Sequence, residues 1–130
     1  MAKLPRLFSP YDKPMWESAA ERSLKLQKCS HCGTFRYPPG PACPECLSMD
    51  SDWTPVSGKG RILSWTVFHR KYLPAYPPPT LVVAVMLEEG PIMVANMDVE
   101  HRDRLALDLP VTLVYGEHPD GFTLPRFEPA

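Results

Sequence analysis

Short runs of β-branched, aromatic and aliphatic residues alternate with polar turns through the second half of the chain. They occupy residues 61–70, 80–88, 91–97, 110–116 and 121–127, and each has the composition of a β-strand. Glu89 and Gly90 predict a tight hairpin between the second and third runs, whereas residues 98–109 are long enough for a helical turn before the fourth. The pattern therefore predicts five strands with one helical connection.

The number and order of these strands indicate the fold. Five strands with a helical connection after the third fit a small OB-type barrel better than a sandwich, which usually has about seven strands. The second run is apolar at every position from residue 81 to 87, so both of its faces need cover. We expect the outer face to be covered by a helix, by the segment that precedes the strands, or by another protein.

A helical period precedes the strands. Residues 14–26 tolerate Pro14 in a first helical turn and place four apolar residues on one face: Trp16, Ala19, Ala20 and Leu24. This spacing predicts an amphipathic helix of about ten residues. Because a lone helix of that length is marginal in water, it must dock either on its own domain or on a partner.

Two C-x-x-C pairs separated by ten residues lie between the helix and the strands: Cys29, Cys32, Cys43 and Cys46. Two such turns supply the four ligands of a tetrahedral site with metal–sulfur distances of about 2.3 Å. Four sulfur ligands leave no open position, so the ion is structural rather than catalytic. Zinc is the expected ion. Iron, as in rubredoxin-like sites, and a redox dithiol are the less favoured alternatives.

Neighbouring residues support the two cysteine turns. Gly33 follows the first pair at a position that suits positive φ, and Pro44 stiffens the second pair. His31 is interpreted as a solvated turn residue, because four cysteines already complete the ligand shell. The expected fold is mostly β, with an N-terminal segment holding the amphipathic helix (1–27), a rubredoxin-like zinc ribbon (28–53) and a five-stranded OB-fold barrel (54–130).

The amino-acid composition excludes several classes of protein function. Seventeen prolines argue against an all-helical protein, and a net charge of −1 with a pI near 6.4 provides no basic field for nucleic acid. The N-terminal residues lack the apolar core of a signal peptide, and no stretch approaches the roughly 18 apolar residues of a membrane span. We expect a cytoplasmic protein without a membrane segment, in a reducing compartment where clustered cysteines bind metal.

Several motifs together resemble one known family. The resemblance is carried by Cys29-x-x-Cys32-Gly33, Pro38-Pro39, Cys43-Pro44-x-Cys46 and the Gly58-x-Gly60-x-Ile62-x-Ser64-Trp65 entry to the first long strand. Over nearly its whole length, the chain is similar to the zinc-ribbon/OB-fold acyl-CoA-associated family, formerly a domain of unknown function. Two positions depart from the family pattern. Gly40 stands where an arginine often follows the prolines, and Leu47 where a glycine often follows the last cysteine.

The resemblance implies a role within a complex. Members of the family are typically partners of thiolases, thiolase-like acyltransferases or aldolases, or MaoC-type hydratases with a hot-dog fold. The resemblance therefore implies a non-catalytic accessory subunit, in a hetero-oligomer with such an acyl-CoA enzyme, that positions or stabilises its partner. Acyl-CoA itself is a further ligand to test.

No catalytic residues are predicted. His69, His101 and His118 are scattered, no cysteine lies outside the two pairs, and no glycine-rich phosphate loop is present. We interpret the three histidines as surface residues at strand ends or in loops.

The first long strand has basic residues at both ends of an apolar centre. Strict alternation puts seven residues on one face: Lys59, Arg61, Leu63, Trp65, Val67, His69 and Lys71. The basic members, Lys59, Arg61, His69 and Lys71, are candidate contacts for CoA or another anion. The alternative is a core face with solvated ends.

A partner interface is expected where apolar and aromatic residues exceed what the chain can bury. The candidates are Met15, Trp16, Tyr72, Leu73 and Tyr76, the last three close to the proline run at 77–79. The alternative function is an OB-fold protein that binds single-stranded nucleic acid and keeps a structural zinc. Acidic residues on the barrel disfavour this alternative: Glu88, Glu89, Asp98, Glu100, Asp103, Asp108, Glu117, Asp120 and Glu128.

Overall fold

The chain forms a helix, a three-stranded ribbon sheet and a five-stranded barrel, in that order. The computed structural model describes residues 3–130; Met1 and Ala2, part of the predicted segment 1–27, lie outside the described residues. Helix α1 spans Asp12–Ala20, and the ribbon strands are β1 (Lys25–Cys29), β2 (Phe35–Arg36) and β3 (Ser51–Pro55). The barrel strands are β4 (Lys59–Phe68), β5 (Thr80–Leu87), β6 (Ile92–Met97), β7 (Pro110–Glu117) and β8 (Thr123–Pro129), with a 3₁₀ helix at Val99–Arg104.

Helix α1 docks on its own chain. Met15 and Ala19 are buried in the common core, where the helix packs against β8 and β1. The helix ends at Ala20, because Arg22 adopts a left-handed conformation with φ of 61° and turns the chain. The prediction that Leu24 belongs to the helical face is therefore wrong, although its side chain is buried beyond the turn. Within the described residues, no helix has the length and apolar character needed to cross a membrane.

The ribbon is an antiparallel sheet with β1 in its centre, between β2 and β3. Sequence analysis did not predict these strands, because β2 has two residues and β3 is mostly polar, so neither shows an apolar alternation. The sheet starts at Lys25 and continues to Pro55, beyond both ends of the predicted ribbon segment 28–53. Cys29 is the last residue of β1, so the sheet fixes the position of the first cysteine turn.

The five barrel strands close in the order β4-β5-β6-β8-β7, which confirms the predicted OB-type barrel. The hairpin at Glu89 and Gly90 is also confirmed, and Gly90 has a φ of 117° that suits glycine. The helical connection expected within residues 98–109 is the 3₁₀ helix between β6 and β7. Sequence periodicity therefore predicted all five barrel strands to within a few residues at each end.

A β-bulge in β4 changes which side chains face the core. The register between β4 and β5 shifts at Leu63, which has no partner of its own. Before the bulge, Arg61 lies opposite Met86 on the outer face; after it, Trp65 lies opposite the fully buried Val83. The prediction that alternate residues from 59 to 71 share one face is therefore wrong, because one extra residue reverses the alternation.

The start of β4 runs unusually close to β5. A Cβ atom on Gly60 would lie 2.5 Å from the Val85 side chain and 2.7 Å from the Met86 carbonyl oxygen. No side chain fits between these two strands, which accounts for the second glycine of the Gly58-x-Gly60 motif. Closing the barrel depends on this approach, since Gly60 also pairs with Val111 of β7.

The outer face of β4, β5 and β6 is left open by the rest of the chain. Ile92 and Val94 are 49% and 56% exposed, beside the half-buried Val82, Ala84 and Met86. Helix α1 packs on β8 and β1 instead. The helix, one of the three covers that sequence analysis considered, therefore does not cover this face.

Candidate functional site

Two matching turns hold the four cysteines. In the first turn, the Gly33 N–H donates to the Cys29 carbonyl, and in the second the Leu47 N–H donates to the Cys43 carbonyl, both at 3.0 Å. Backbone N–H groups inside the turns also point at sulfur, since the His31 N–H lies 3.4 Å from the Cys29 Sγ. The repeated geometry gives both cysteine pairs the same shape.

The four sulfur atoms converge on one point. All lie within 4.8 Å of one another, and the Cys29–Cys46 and Cys32–Cys43 sulfur separations are both 3.5 Å. A disulfide has a sulfur separation of about 2.05 Å, whereas a tetrahedral ion with bonds of about 2.3 Å spaces its ligands by roughly 3.8 Å. The four cysteines therefore form a metal-binding site with an all-sulfur donor set.

The thiols of the cluster lie in unequal electrostatic environments. The pKa of Cys32 is lowered to about 6, chiefly by its side-chain hydrogen bond with Thr34, and that of Cys29 is lowered chiefly by the Cys32 N–H. The backbone hydrogen bond from Ser48 lowers the pKa of Cys46, but burial and the neighbouring thiols outweigh it and raise the pKa to about 12. Four adjacent thiolates are stable only around a positive ion.

Leu47 occupies a glycine-like position. It has a φ of 65°, close to the 78° of Gly33 at the equivalent place in the first turn. Its side chain is 76% exposed, so packing does not hold it there. An L-residue in the left-handed region costs roughly 1–2 kcal/mol. The departure noted in the sequence is therefore a strained backbone position.

The four candidate anion contacts do not share one surface. Arg61 is held by an ion pair with Asp108, with 2.6 Å between Nη1 and Oδ1. Lys59 begins β4, whereas His69 and Lys71 lie in the loop beyond its end. The ten residues of β4 separate the two groups by roughly 30 Å along the strand. A single basic-ended binding face is therefore absent, and only the loop residues remain close to one another.

Three of the interface candidates, Met15, Trp16 and Tyr76, pack within the chain. Met15 is 5% exposed and belongs to the core, so its side chain is not available to a partner. Trp16 is half-buried, and its ring packs edge-on against Phe122 with 5.8 Å between ring centroids. By contrast, Tyr72 and Leu73 are 70% and 57% exposed. The structure therefore moves the candidate interface from the helix to the β4–β5 loop.

His118 is buried, which corrects its interpretation as a surface residue. Its ring stacks on Phe122 at 4.4 Å and meets Tyr76 edge-on at 5.6 Å, and its side chain is 8% exposed. Its Nδ1 accepts a hydrogen bond from the Asp120 N–H at 3.1 Å. The β7–β8 turn folds the ring against the β4–β5 loop, a contact that no local pattern in the sequence indicates.

Arg70 was not among the candidate anion contacts, although it lies between His69 and Lys71. It lines a cavity of about 230 Å³ beneath the β4–β5 loop, together with Phe68, Tyr72 and Asn96. Strict alternation selected only odd-numbered residues and therefore passed over it. Residues 69–71 are three consecutive basic residues, and assigning them to a loop rather than to the end of a strand would have included Arg70.

A metal-binding ribbon attached to an OB barrel with an exposed aromatic loop defines the class of protein. Residues 16–50 match the model of the ChsH2 rubredoxin-like zinc ribbon domain, and residues 53–116 match that of the ChsH2 C-terminal OB-fold domain. The chain belongs to this ChsH2 (DUF35) family of zinc-ribbon and OB-fold proteins. The resemblance inferred from the motifs is thereby confirmed.

Of two curated relatives, one is named as a subunit and the other as a scaffold protein. A probable enoyl-CoA hydratase alpha subunit of Thermomonospora curvata is 39% identical over 120 residues, which are 92% of this chain and 38% of the relative. A DUF35 domain-containing scaffold protein of Pyrococcus furiosus is 35% identical over 79 residues, which are 56% of this chain and 54% of the relative. The chain thus spans less than two thirds of either relative.

A solved structure matches almost end to end. A chain of an Ltp2-ChsH2(DUF35) aldolase aligns with a TM-score of 0.86 and 35% sequence identity. The alignment covers 96% of this chain and 98% of that chain. The helix, ribbon and barrel therefore occur together, in the same arrangement, in a protein whose name describes an enzyme complex.

Proposed function

We propose that this chain is a non-catalytic accessory subunit of an acyl-CoA-processing enzyme. The match over nearly the full length of a chain in an Ltp2-ChsH2(DUF35) aldolase carries the proposal. The two curated relatives, named as a hydratase subunit and as a scaffold protein, support it. The partner is a thiolase-like aldolase or acyltransferase, or a hydratase, in a hetero-oligomer. A reduced cysteine cluster fits a cytoplasmic complex.

We infer that zinc occupies the four-cysteine site. The donor set is all sulfur, and Cys29, Cys32, Cys43 and Cys46 together would complete a tetrahedral shell without an open position. Zinc there supplies a rigid cross-link and no reaction chemistry. It would hold a segment whose strands are too short to form a core of their own. Iron is the alternative, and a visible iron–thiolate absorption distinguishes it.

The β4–β5 loop, residues 69–79, is the proposed contact with the enzyme. Tyr72 and Leu73 are exposed, and the prolines at 77–79 limit the conformational entropy that the loop loses on docking. His69, Arg70 and Lys71 precede these residues and are the proposed contact for the phosphates of acyl-CoA. Arg61 lies near the opposite end of β4, where it pairs with Asp108, so it is not part of this contact.

Co-expression of this chain with the products of its neighbouring genes, and with candidate thiolase-like and hydratase enzymes, tests the proposal. The wild-type chain is expected to retain one of them through affinity purification. Tyr72→Ala is expected to weaken the complex by about 2 kcal/mol, because exposed aromatic residues dominate interface energies. Titration by surface plasmon resonance measures the loss. Met49→Ala is the matched control, since Met49 is 72% exposed but lies in the ribbon.

Two outcomes would count against the proposal. If the wild-type chain retains no CoA-thioester enzyme, the accessory role fails. If Tyr72→Ala binds the retained enzyme as tightly as the control does, the loop is not the contact.

A further inference from the structure

We propose that the outer face of the barrel sheet is a second part of the enzyme interface, covered by the same acyl-CoA enzyme subunit. This outer sheet face is defined by six apolar residues that point away from the core: Phe68, Val82, Ala84, Met86, Ile92 and Val94. The inference rests on the proposed function, because it assigns a further surface to the same partner.

The outer sheet face consists of paired apolar residues without cover. Ile92 lies opposite Met86, and Val94 lies opposite Ala84, so the apolar side chains form adjacent rows. Ile92 is 49% and Val94 56% exposed, although β-branched residues at such positions usually pack against another layer. Exposed apolar patches of this kind mark interaction surfaces.

The charge of the face limits what can cover it. The polar residues among the apolar rows are uncharged: Ser64, Thr66 and Asn96. Two charged side chains of β4, Lys59 and Arg61, lie at its margin, and Arg61 forms an ion pair with Asp108 at 2.6 Å. A charged partner surface would lose its hydration here without gaining an ion pair. The surface that covers the centre of the face must therefore be apolar.

Strand edges on both sides of the face are also open. β4 pairs with β7 only from Lys59 to Arg61, and β6 pairs with β8 only at Asn96 and Met97. Within the described residues, 64–68 of β4 and 92–95 of β6 therefore pair with β5 alone. Open edges beside an apolar face favour unwanted association unless a partner shields them.

The area of the outer sheet face and its continuity with the β4–β5 loop identify the partner that covers it. Neighbouring strands lie about 4.8 Å apart, and alternate residues along one strand lie about 6.7 Å apart. Over the outward-facing positions of β4, β5 and β6, these spacings give an area of roughly 300 Å². A stable interface needs about 800 Å² from each partner, so this face alone is too small to hold a second copy of the chain. Phe68 and Asn96, at one end of the face, also line the cavity beneath the β4–β5 loop. The face therefore continues into the loop that we assign to the enzyme.

Val94→Glu is the test, measured on the complex of the full chain with its co-purified enzyme. A buried, unpaired carboxylate on this face is expected to weaken binding by about tenfold or more. Ile92→Glu should have the same effect. Met49→Glu makes the same chemical change at a residue that is 72% exposed in the ribbon, and it should bind as the wild type does.

The outcomes separate this inference from the proposed function. Zinc content and thermal unfolding of each variant establish that it is folded before binding is compared. If the wild type binds the enzyme and folded Val94→Glu binds equally well, this inference is overturned while the accessory role stands. If instead the wild type is a dimer that Val94→Glu dissociates, with enzyme binding unchanged, a second copy covers the face and the inference is also overturned.

Discussion

Leu47 of the metal ribbon has a left-handed backbone conformation that is unfavourable for a residue with a side chain. The turn geometry that places Cys43 and Cys46 requires a left-handed residue after the last cysteine, as Gly33 provides after the first pair. A leucine gains nothing at this place, because its side chain is mostly exposed. Gly60 shows the opposite situation, since the neighbouring strand leaves no room for any side chain. At both Leu47 and Gly60, the backbone geometry determines which residue type is favourable.

Leu47→Gly is expected to stabilise the metal-loaded ribbon. Relief of the left-handed strain, roughly 1–2 kcal/mol, exceeds the entropy that glycine loses on folding, roughly 0.5–1 kcal/mol, and leaves a gain of up to about 1.5 kcal/mol. Denaturant unfolding of the zinc-loaded protein measures it. Gly33→Ala is the control of opposite sign, and a lower stability for Leu47→Gly would show that Leu47 is not strained.

At the scale of elements, the ribbon and the barrel are stabilised by different forces. β2 has two residues and β3 has no fully buried residue, so the ribbon lacks a core of its own and depends on its metal. The barrel has closed hydrogen-bonded strands around Ile62, Val83 and Phe127. The two elements touch, since Leu26 of β1 belongs to the same core cluster.

Removal of the metal by a chelator is expected to unfold the ribbon and leave the barrel intact. Without the ion, the four cysteines lose the binding energy that folds their segment. Amides of β1 and β3 should then exchange with deuterium within minutes, whereas those of β5 and β7 stay protected. Cys43→Ser should reproduce this pattern without chelator. Equal loss of protection in both elements would instead indicate one cooperative unit.

At the scale of the whole molecule, the arrangement fits a subunit that positions another protein. His69 is in an exposed loop, His101 contacts the neighbouring Glu100 at 3.6 Å, and His118 is stacked between aromatic rings. None of these contacts pairs a histidine with a nucleophile within the described residues. The exposed apolar residues include those of the β4–β5 loop and of the adjoining outer sheet face.

The purified chain is expected to turn over no acyl-CoA by itself. General acid–base or nucleophilic catalysis needs a base within hydrogen-bond reach of the reacting group, and the Nδ1 of His118 is already bonded to the Asp120 N–H. Release of free CoA and hydration of enoyl-CoA are the assays, each repeated with the retained enzyme. Activity of the single chain that disappears in His118→Gln would contradict this expectation.

The sequence alone determined the features that depend on neighbours along the chain. The two C-x-x-C turns predicted the metal site because each pair is positioned by its own short loop. Apolar runs predicted the barrel strands, and Glu89 with Gly90 predicted the hairpin, because strand period and turn conformation are local properties. The family resemblance followed from the same local motifs.

Only the tertiary structure decided which residues are exposed on the surface and which are buried. The bulge at Leu63 reversed the faces of β4, since strand register depends on pairing with β5 rather than on alternation alone. Packing of distant segments buried Met15 and His118, which sequence analysis had placed at an interface and on the surface. The docking of α1 on β8 left the outer sheet face open. Each outcome depends on contacts between residues far apart in sequence, which a local pattern does not encode.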